Sequence, residues 1–190
     1  MEELKQRIIK DGRVLNSEVI KVDSFLNHQL DIPLLGKIGD EYYRYYKHQN
    51  ITKILTIEAS GIAIAAITAE RFHVPVVFAR KSEAIKNPEE KYLAEVYSFT
   101  KQKQFTVFVT RKYIQPSDRI LIIDDFLANG QALLGLAKLV HQAGATLVGA
   151  GIVIEKAFQD GGTLVRDAGI EVYSLARIAS MSPDEIVFAE

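Results

Sequence analysis

The sequence predicts an α/β protein with a central, mostly parallel sheet flanked by helices, and three observations carry that expectation. Ile120-Leu121-Ile122-Ile123 is a run of four branched aliphatics, the mark of a strand buried on both faces and hence covered by helices. Beyond it, Leu133, Leu136, Ala137 and Val140 recur at i, i+3, i+4 and i+7 within residues 130–143, which makes a helix with one apolar stripe. The same succession of strand, small-residue turn and helix occurs earlier, in residues 53–57, Glu58-Ala59-Ser60-Gly61 and residues 62–72.

A chain of 190 residues forms one domain with a full core, and neither a repeat nor a linker interrupts it. A net charge of -1 favours no nucleic-acid partner through a broad electrostatic field. With no cysteine, a disulfide framework, a thiolate nucleophile and a Cys-based zinc site are excluded. The charged start Met1-Glu2-Glu3-Leu4-Lys5-Gln6-Arg7 lacks a signal-peptide core, and no apolar run approaches the roughly 18 residues of a membrane span. No membrane contact and a cytoplasmic location are expected.

In chain order, residues 1–11 read as an amphipathic helix with Leu4 and Ile8 on one side, ended by Gly12. Residues 14–15 and 19–22 are short β-prone pieces, and residues 25–29 are irregular with a polar tip. Residues 32–50 form a helix with Pro33 at its start and Leu35, Ile38, Tyr42 and either Tyr45 or Tyr46 on its buried face. After the strand at 53–57, the turn Ala59-Ser60-Gly61 lets an anion approach the main chain, and Ser60 suits either a helix cap or an oxygen donor. A strand at 74–79 ends in Arg80 and Lys81, two cations that fit an anion in the crevice or plain solvation. Residues 82–105 lose apolar regularity, as a mobile lid that excludes water would. Residues 105–110 form a strand, and Gln115-Pro116-Ser117-Asp118 a turn. Residues 147–154 form another buried strand; Gly149-Ala150-Gly151 lies inside it, where a dinucleotide fingerprint does not occur. Gly161-Gly162 begins a turn, residues 164–168 a short helix, residues 170–178 a last core strand, and residues 186–189 a tail strand.

The candidate site lies at the carboxyl end of the Ile120–Ile123 run, where Asp124 and Asp125 precede Ala128-Asn129-Gly130-Gln131-Ala132 and a helix start. A helix N-terminus offers free N–H groups to a phosphate, and two acids accept hydrogen bonds from vicinal hydroxyls, so a sugar phosphate satisfies both. The acids equally suit a strand end with a helix cap, or the metal-binding pair of a nucleotide hydrolase or receiver domain. The phosphate loop of such hydrolases needs Gly-x-x-x-x-Gly-Lys followed by Ser or Thr, whereas Gly36-Lys37 is followed by Ile38.

Asp124-Asp125 in an apolar strand, followed by a small glycine-containing loop and a helix, resembles the binding motif of the type I phosphoribosyltransferases. Asn129-Gly130-Gln131-Ala132 stands where many of them carry Thr-Gly-Gly-Thr, and this variant resembles the xanthine-using bacterial members over essentially the whole chain. The resemblance implies the type I fold, with a hood over the base from about residues 1–30 and 156–190 and a lid at about 82–105. It implies transfer of a 5-phosphoribosyl group from 5-phospho-α-D-ribose 1-diphosphate to xanthine, with Mg²⁺ held by the substrate rather than by protein ligands. Asp124 and Asp125 would face the ribose, and Ala128, Asn129, Gly130, Gln131 and Ala132 the 5′-phosphate. Ala59, Ser60, Gly61, Arg80 and Lys81 would take the diphosphate. Ile20, where relatives have leucine, Asn27, Lys156 and Phe158 would select the base, the ammonium of Lys156 pairing with a ring carbonyl. A homodimer is implied, with the tyrosines of residues 42–46 as its contact patch. Other purine bases remain as alternatives, as does a non-catalytic regulator, although residues 1–11 hold no helix-turn-helix.

Overall fold

Ile120 and Ile122 pack into one hydrophobic core and Leu121 and Ile123 into another, so the central strand is buried on both faces. The computed structural model describes residues 1–82, 84–98 and 103–189. Five helices are described: α1 (Glu2–Asp11), α2 (Ile32–Tyr46), α3 (Gly61–Phe72), α4 (Gln131–Gln142) and α5 (Gly161–Asp167). The strands are β1 (Arg13–Val14), β2 (Ile20–Lys21), β3 (Lys53–Ile57), β4 (Val76–Ser82), β5 (Lys91–Ser98), β6 (Lys103–Thr110), β7 (Arg119–Leu127), β8 (Thr146–Lys156), β9 (Val172–Met181) and β10 (Ile186–Phe188). β1 and β2 form a small hairpin, and the other eight make one sheet in the order β10-β9-β8-β7-β3-β4-β6-β5. The strands from β9 to β4 are parallel, with antiparallel strands at both edges.

From the centre, the chain winds outward in two directions: β3 to β4 through α3, and β7 to β8 and β9 through α4 and α5. Right-handed crossovers in opposite directions place their helices on opposite faces. Accordingly α3 packs in the core with α1 and α2, and α4 in the other. The loops after β3 and β7 therefore splay apart above the reversal point, leaving a crevice between them.

Several expected boundaries move. β7 runs on through both acids to Leu127, because β8 is longer still and supplies ladder partners at Phe126↔Ile154 and Leu127↔Glu155. Gly161 and Gly162 are the first residues of α5 rather than a turn before it. Tyr42 and Tyr46 are wholly buried, so they are core and not a subunit contact; only Tyr43 and Tyr45 of that cluster are exposed. The strand glycines explain how they fit: a Cβ at Gly151 would lie 2.7 Å from the Tyr42 ring, and Tyr46 donates to the carbonyl of Ala150 at 3.1 Å.

The stretch read as an irregular lid is largely a β-ribbon. Its strands β5 and β6 continue the sheet edge, and β5 is pinned to α4 where Gln142 exchanges two hydrogen bonds with Leu93 at 2.7 and 3.0 Å. The ribbon tip, residues 99–102, lies outside the described residues, as does residue 83.

Candidate active site

The loop at residues 128–132, expected to hold a phosphate, is built by glycine packing. Gly130 caps α4 with φ +75°, a conformation that costs L side chains and suits glycine. The N–H of Gly161 donates to the carbonyl of Ala128 at 3.1 Å, and a Cβ on Gly161 would strike the main chain of Asn129 and Gly130. The loop is thus pressed from behind by α5, and with the first residues of α4, whose N–H groups have no partner within the helix, it lines a cavity of about 190 Å³. Phe126, Tyr97 and Phe105 share that cavity with residues 127–133.

Across the crevice, Ala59 and Ser60 lead into α3, and the peptide between Glu58 and Ala59 is cis. Ser60 is helical and makes no capping bond with its side chain, which leaves the hydroxyl turned to other use. Between the two loops sits Asp124, 5% exposed. A Cβ on Gly61 would lie 3.0 Å from its Oδ1 and would overlap the hydroxyl of Thr56. Thr56 is fully buried, and its Oγ1 has no hydrogen-bond partner among the described residues. Burial pushes the Asp124 carboxyl well above the usual carboxylate range, reinforced by the like charge of Asp125. Asp125 is half-buried, and its N–H donates to Asp124 Oδ1 at 3.0 Å.

Arg80 and Lys81 lie inside β4 instead of beyond its end, so they point to opposite faces. Lys81 lies 5.5 Å from the ring centre of Phe105, on the cavity that the phosphate loop faces, and its charge acts on Asp124. Arg80 shares a different groove with Phe78, Phe108 and Tyr113. Glu58 spans the two, accepting the Lys81 main-chain N–H at 2.7 Å and lying 3.9 Å from the Arg80 guanidinium.

On the far side of the crevice, Lys156 ends β8. Its ammonium donates to the carbonyl of Glu18 at 2.6 Å and sits 5.6 Å from the centre of the Phe126 ring. Burial lowers its pKa, partly opposed by the Glu18 charge. Glu18 belongs to a turn in which Asn16 accepts the N–H groups of Glu18 and Val19 at 2.9 and 2.8 Å. One hydrogen bond therefore ties the N-terminal hairpin to the end of the sheet.

Residues 21–168 match the model of the phosphoribosyl transferase domain. The chain belongs to the phosphoribosyltransferase family. It is 56% identical over all 190 residues, and over all of the relative, to the xanthine phosphoribosyltransferase of Ruminiclostridium cellulolyticum. It is 53% identical to that of Bacillus cereus strain AH187, covering all of this chain and 96% of the relative. Among solved structures, the APRTase of Giardia lamblia complexed with 9-deazaadenine superposes with a TM-score of 0.79 at 21% identity, over 92% of this chain and 97% of that one. The adenine phosphoribosyl transferase of Trypanosoma brucei gives 0.77 at 21% identity, over 92% and 79%. At such identities these two describe the fold alone, which is the type I phosphoribosyltransferase fold.

Within this phosphoribosyltransferase Gly61 lies against Asp124, the charges of Asp125 and Lys81 act on Asp124, and Lys156 lies beside Phe126. Ile20 is a buried residue of the hairpin strand β2, Asn27 is exposed, and Phe158 is 36% exposed two residues beyond Lys156. Three contributors escaped sequence reading: Phe126, the Gly161-Gly162 backing of the phosphate loop, and Thr56. The only signal for the first is an aromatic directly after two acids; the other two are contacts between distant segments. No group of three or more His, Cys, Asp or Glu converges on a metal position among the described residues. Paired carboxylates at an open crevice suit a hard cation that takes most of its oxygens from phosphate and water, which is how Mg²⁺ is commonly held.

Proposed function

We propose that this protein joins xanthine to 5-phospho-α-D-ribose 1-diphosphate, giving xanthosine 5′-monophosphate and diphosphate. The observation that supports the reading is the buried Asp124, against the first residue of α3 and in the strand whose loop leads into α4. Only a substrate with an anion at each end and hydroxyls between them uses all three features. The full-length identity to xanthine phosphoribosyltransferases supplies the base.

In this reading Ala128, Asn129, Gly130, Gln131 and Ala132 hold the 5′-phosphate through main-chain N–H groups. Asp124 and Asp125 accept the ribose hydroxyls, and the charge of Asp125 lies near C1 as it becomes cationic. Ala59, Ser60 and Gly61 with Lys81 hold the diphosphate as the C1–O bond breaks, and Arg80 contributes through Glu58. The purine nitrogen then bonds to C1 and gives up its proton. Most of the protein's contribution is positioning. Mg²⁺ bound with the diphosphate would neutralise part of the leaving group's charge. Lys156 pairs with a xanthine carbonyl, Phe126 and Phe158 offer apolar faces, and Ile20 and Asn27 complete a hood drawn from residues 1–30 and 156–190. A cytoplasmic homodimer completes the proposal.

The test is nucleotide formation from each of the four purine bases, with and without Mg²⁺. Xanthine is expected to be used best, adenine worst, and omission of the metal to abolish product. Equal use of all four bases would remove Lys156 as a selector.

A further inference from the structure

Among the described residues two carboxylates are buried, Asp124 and Glu155, and the proposed reaction uses only the first. Glu155 is 1% exposed and lies in β8 one residue before Lys156. Arg166 of α5 grips it with two hydrogen bonds, at 2.8 and 2.9 Å. Ser174 of β9 donates to it at 2.5 Å, and Arg177, its ladder partner in β9, approaches to 3.4 Å. On its other side its ladder partner is Leu127, the residue that leads into the phosphate loop.

Glu155 also sets where α5 begins. A Cβ on Gly162 would collide with its Oε1 and lie 2.7 Å from Arg166 Nη1, so the helix start is seated directly on the ion pair. Gly161, its neighbour, presses on Ala128, Asn129 and Gly130. One carboxylate thus touches the backing of the phosphate loop, is laddered to the strand that enters it, and is joined by one peptide bond to the lysine at the base subsite. Ion pairs of this kind are poor stabilisers beside an apolar core of equal volume, and their attested use is to fix geometry.

We infer that Glu155 is a positioning residue that sets the phosphate loop and Lys156 at a fixed separation, so that both ends of the nucleotide being formed depend on it. The inference rests on the roles proposed above for the loop and for Lys156.

The test uses the full chain with Glu155→Gln, Arg166→Gln, the double variant and Ser174→Ala, measuring kcat and KM for both substrates, binding of 5-phosphoribosyl diphosphate by calorimetry, and thermal melting. Glu155→Gln is expected to raise both KM values together by about tenfold, the loss of one charge-assisted bond, with kcat reduced less than about threefold. The double variant should be no worse than Glu155→Gln alone, because the two side chains act as one unit. KM values equal to wild type in a variant that has lost only thermal stability would overturn the inference, as would a rise in one KM without the other. Should Glu155→Gln fail to fold, Ser174→Ala decides: a joint rise of about threefold supports the inference, and unchanged values overturn it. A wild-type chain that binds no 5-phosphoribosyl diphosphate would instead overturn the reading on which it rests.

Discussion

Asp124 and Glu155 sit buried in adjacent strands of one sheet, and the chain treats them in opposite ways. Around Glu155 the protein replaces lost water with Arg166, Ser174 and Arg177. Burial by itself would raise its pKa, but those bonds and charges outweigh burial and hold it below the usual carboxylate value. Around Asp124 the main-chain N–H of Asp125 donates at 3.0 Å but the neighbouring side chain is a second acid, so burial wins and its pKa rises. A buried carboxylate is tolerated where donors take over its solvation, and it is costly where they do not. The cost at Asp124 leaves acceptor capacity for something outside the chain, which is how an active-site acid differs from a structural one.

The largest effect should come from removing the acid that lacks a cationic partner. Asp124→Asn combined with Asp125→Asn is expected to lower kcat by about a thousandfold, within the range for lost preorganised charge, with an unchanged circular dichroism spectrum; wild-type turnover would end the role of the pair. Asp124→Asn alone should stabilise the fold at neutral pH. Its folded pKa is raised, so the folded state keeps a proton that the unfolded chain has released, and stability falls as pH rises through that window. The variant escapes this loss. Its melting temperature should exceed wild type by a few degrees above the window, roughly 2–4 °C per kcal/mol at this chain length, and the gap should close as pH falls towards 3.8, the ordinary value of the carboxyl.

Gly61→Ala sharpens the contrast by displacing Asp124 without altering its charge. A Cβ there overlaps Thr56 Oγ1 and lies 3.0 Å from Asp124 Oδ1, and a shift of about 1 Å is worth on the order of a hundredfold in kcat. Stopped-assay kinetics with a retained melting temperature would check it.

The satisfied acid predicts the reverse pH behaviour. Because the folded pKa of Glu155 is depressed, its contribution is present above the unfolded value of 4.5 and is lost as pH falls through the folded one. Melting curves of Glu155→Gln against pH should therefore be lower than wild type at neutrality and converge with it in acid. Parallel curves would show that the charge of Glu155 adds nothing to stability.

The smallest effect distinguishes the two cations of β4. Lys81→Ala should weaken diphosphate inhibition by about tenfold, and Arg80→Ala by about threefold, as an exposed charge acting through Glu58 is worth little. Equal losses would contradict the opposite facing of the two side chains.

Much of the site was legible because it is local. The acid pair, the loop at residues 128–132 and the Ala59-Ser60-Gly61 turn each lie within a few residues of a strand or helix whose period is plain. The separation of Arg80 from Lys81 was less visible: both look alike until β6 pairs with them, at Arg80↔Phe108 and Lys81↔Val107, and extends β4 to Ser82. The tyrosines of α2 misled because Tyr42 and Tyr46 need gaps at Gly151 and Gly149, more than a hundred residues away in the chain, to enter the core.

By itself the sequence determined the α/β class, the central strands with their helices and the turns expected to bind anions, since hydrophobic period, turn chemistry and helix polarity act over short spans. Tertiary structure alone decided which buried acid is satisfied, which cation faces the crevice and what stands behind the phosphate loop. Those outcomes depend on contacts such as Gly161 against Ala128 and Arg166 on Glu155, formed between segments whose separation in the chain carries no periodic signal.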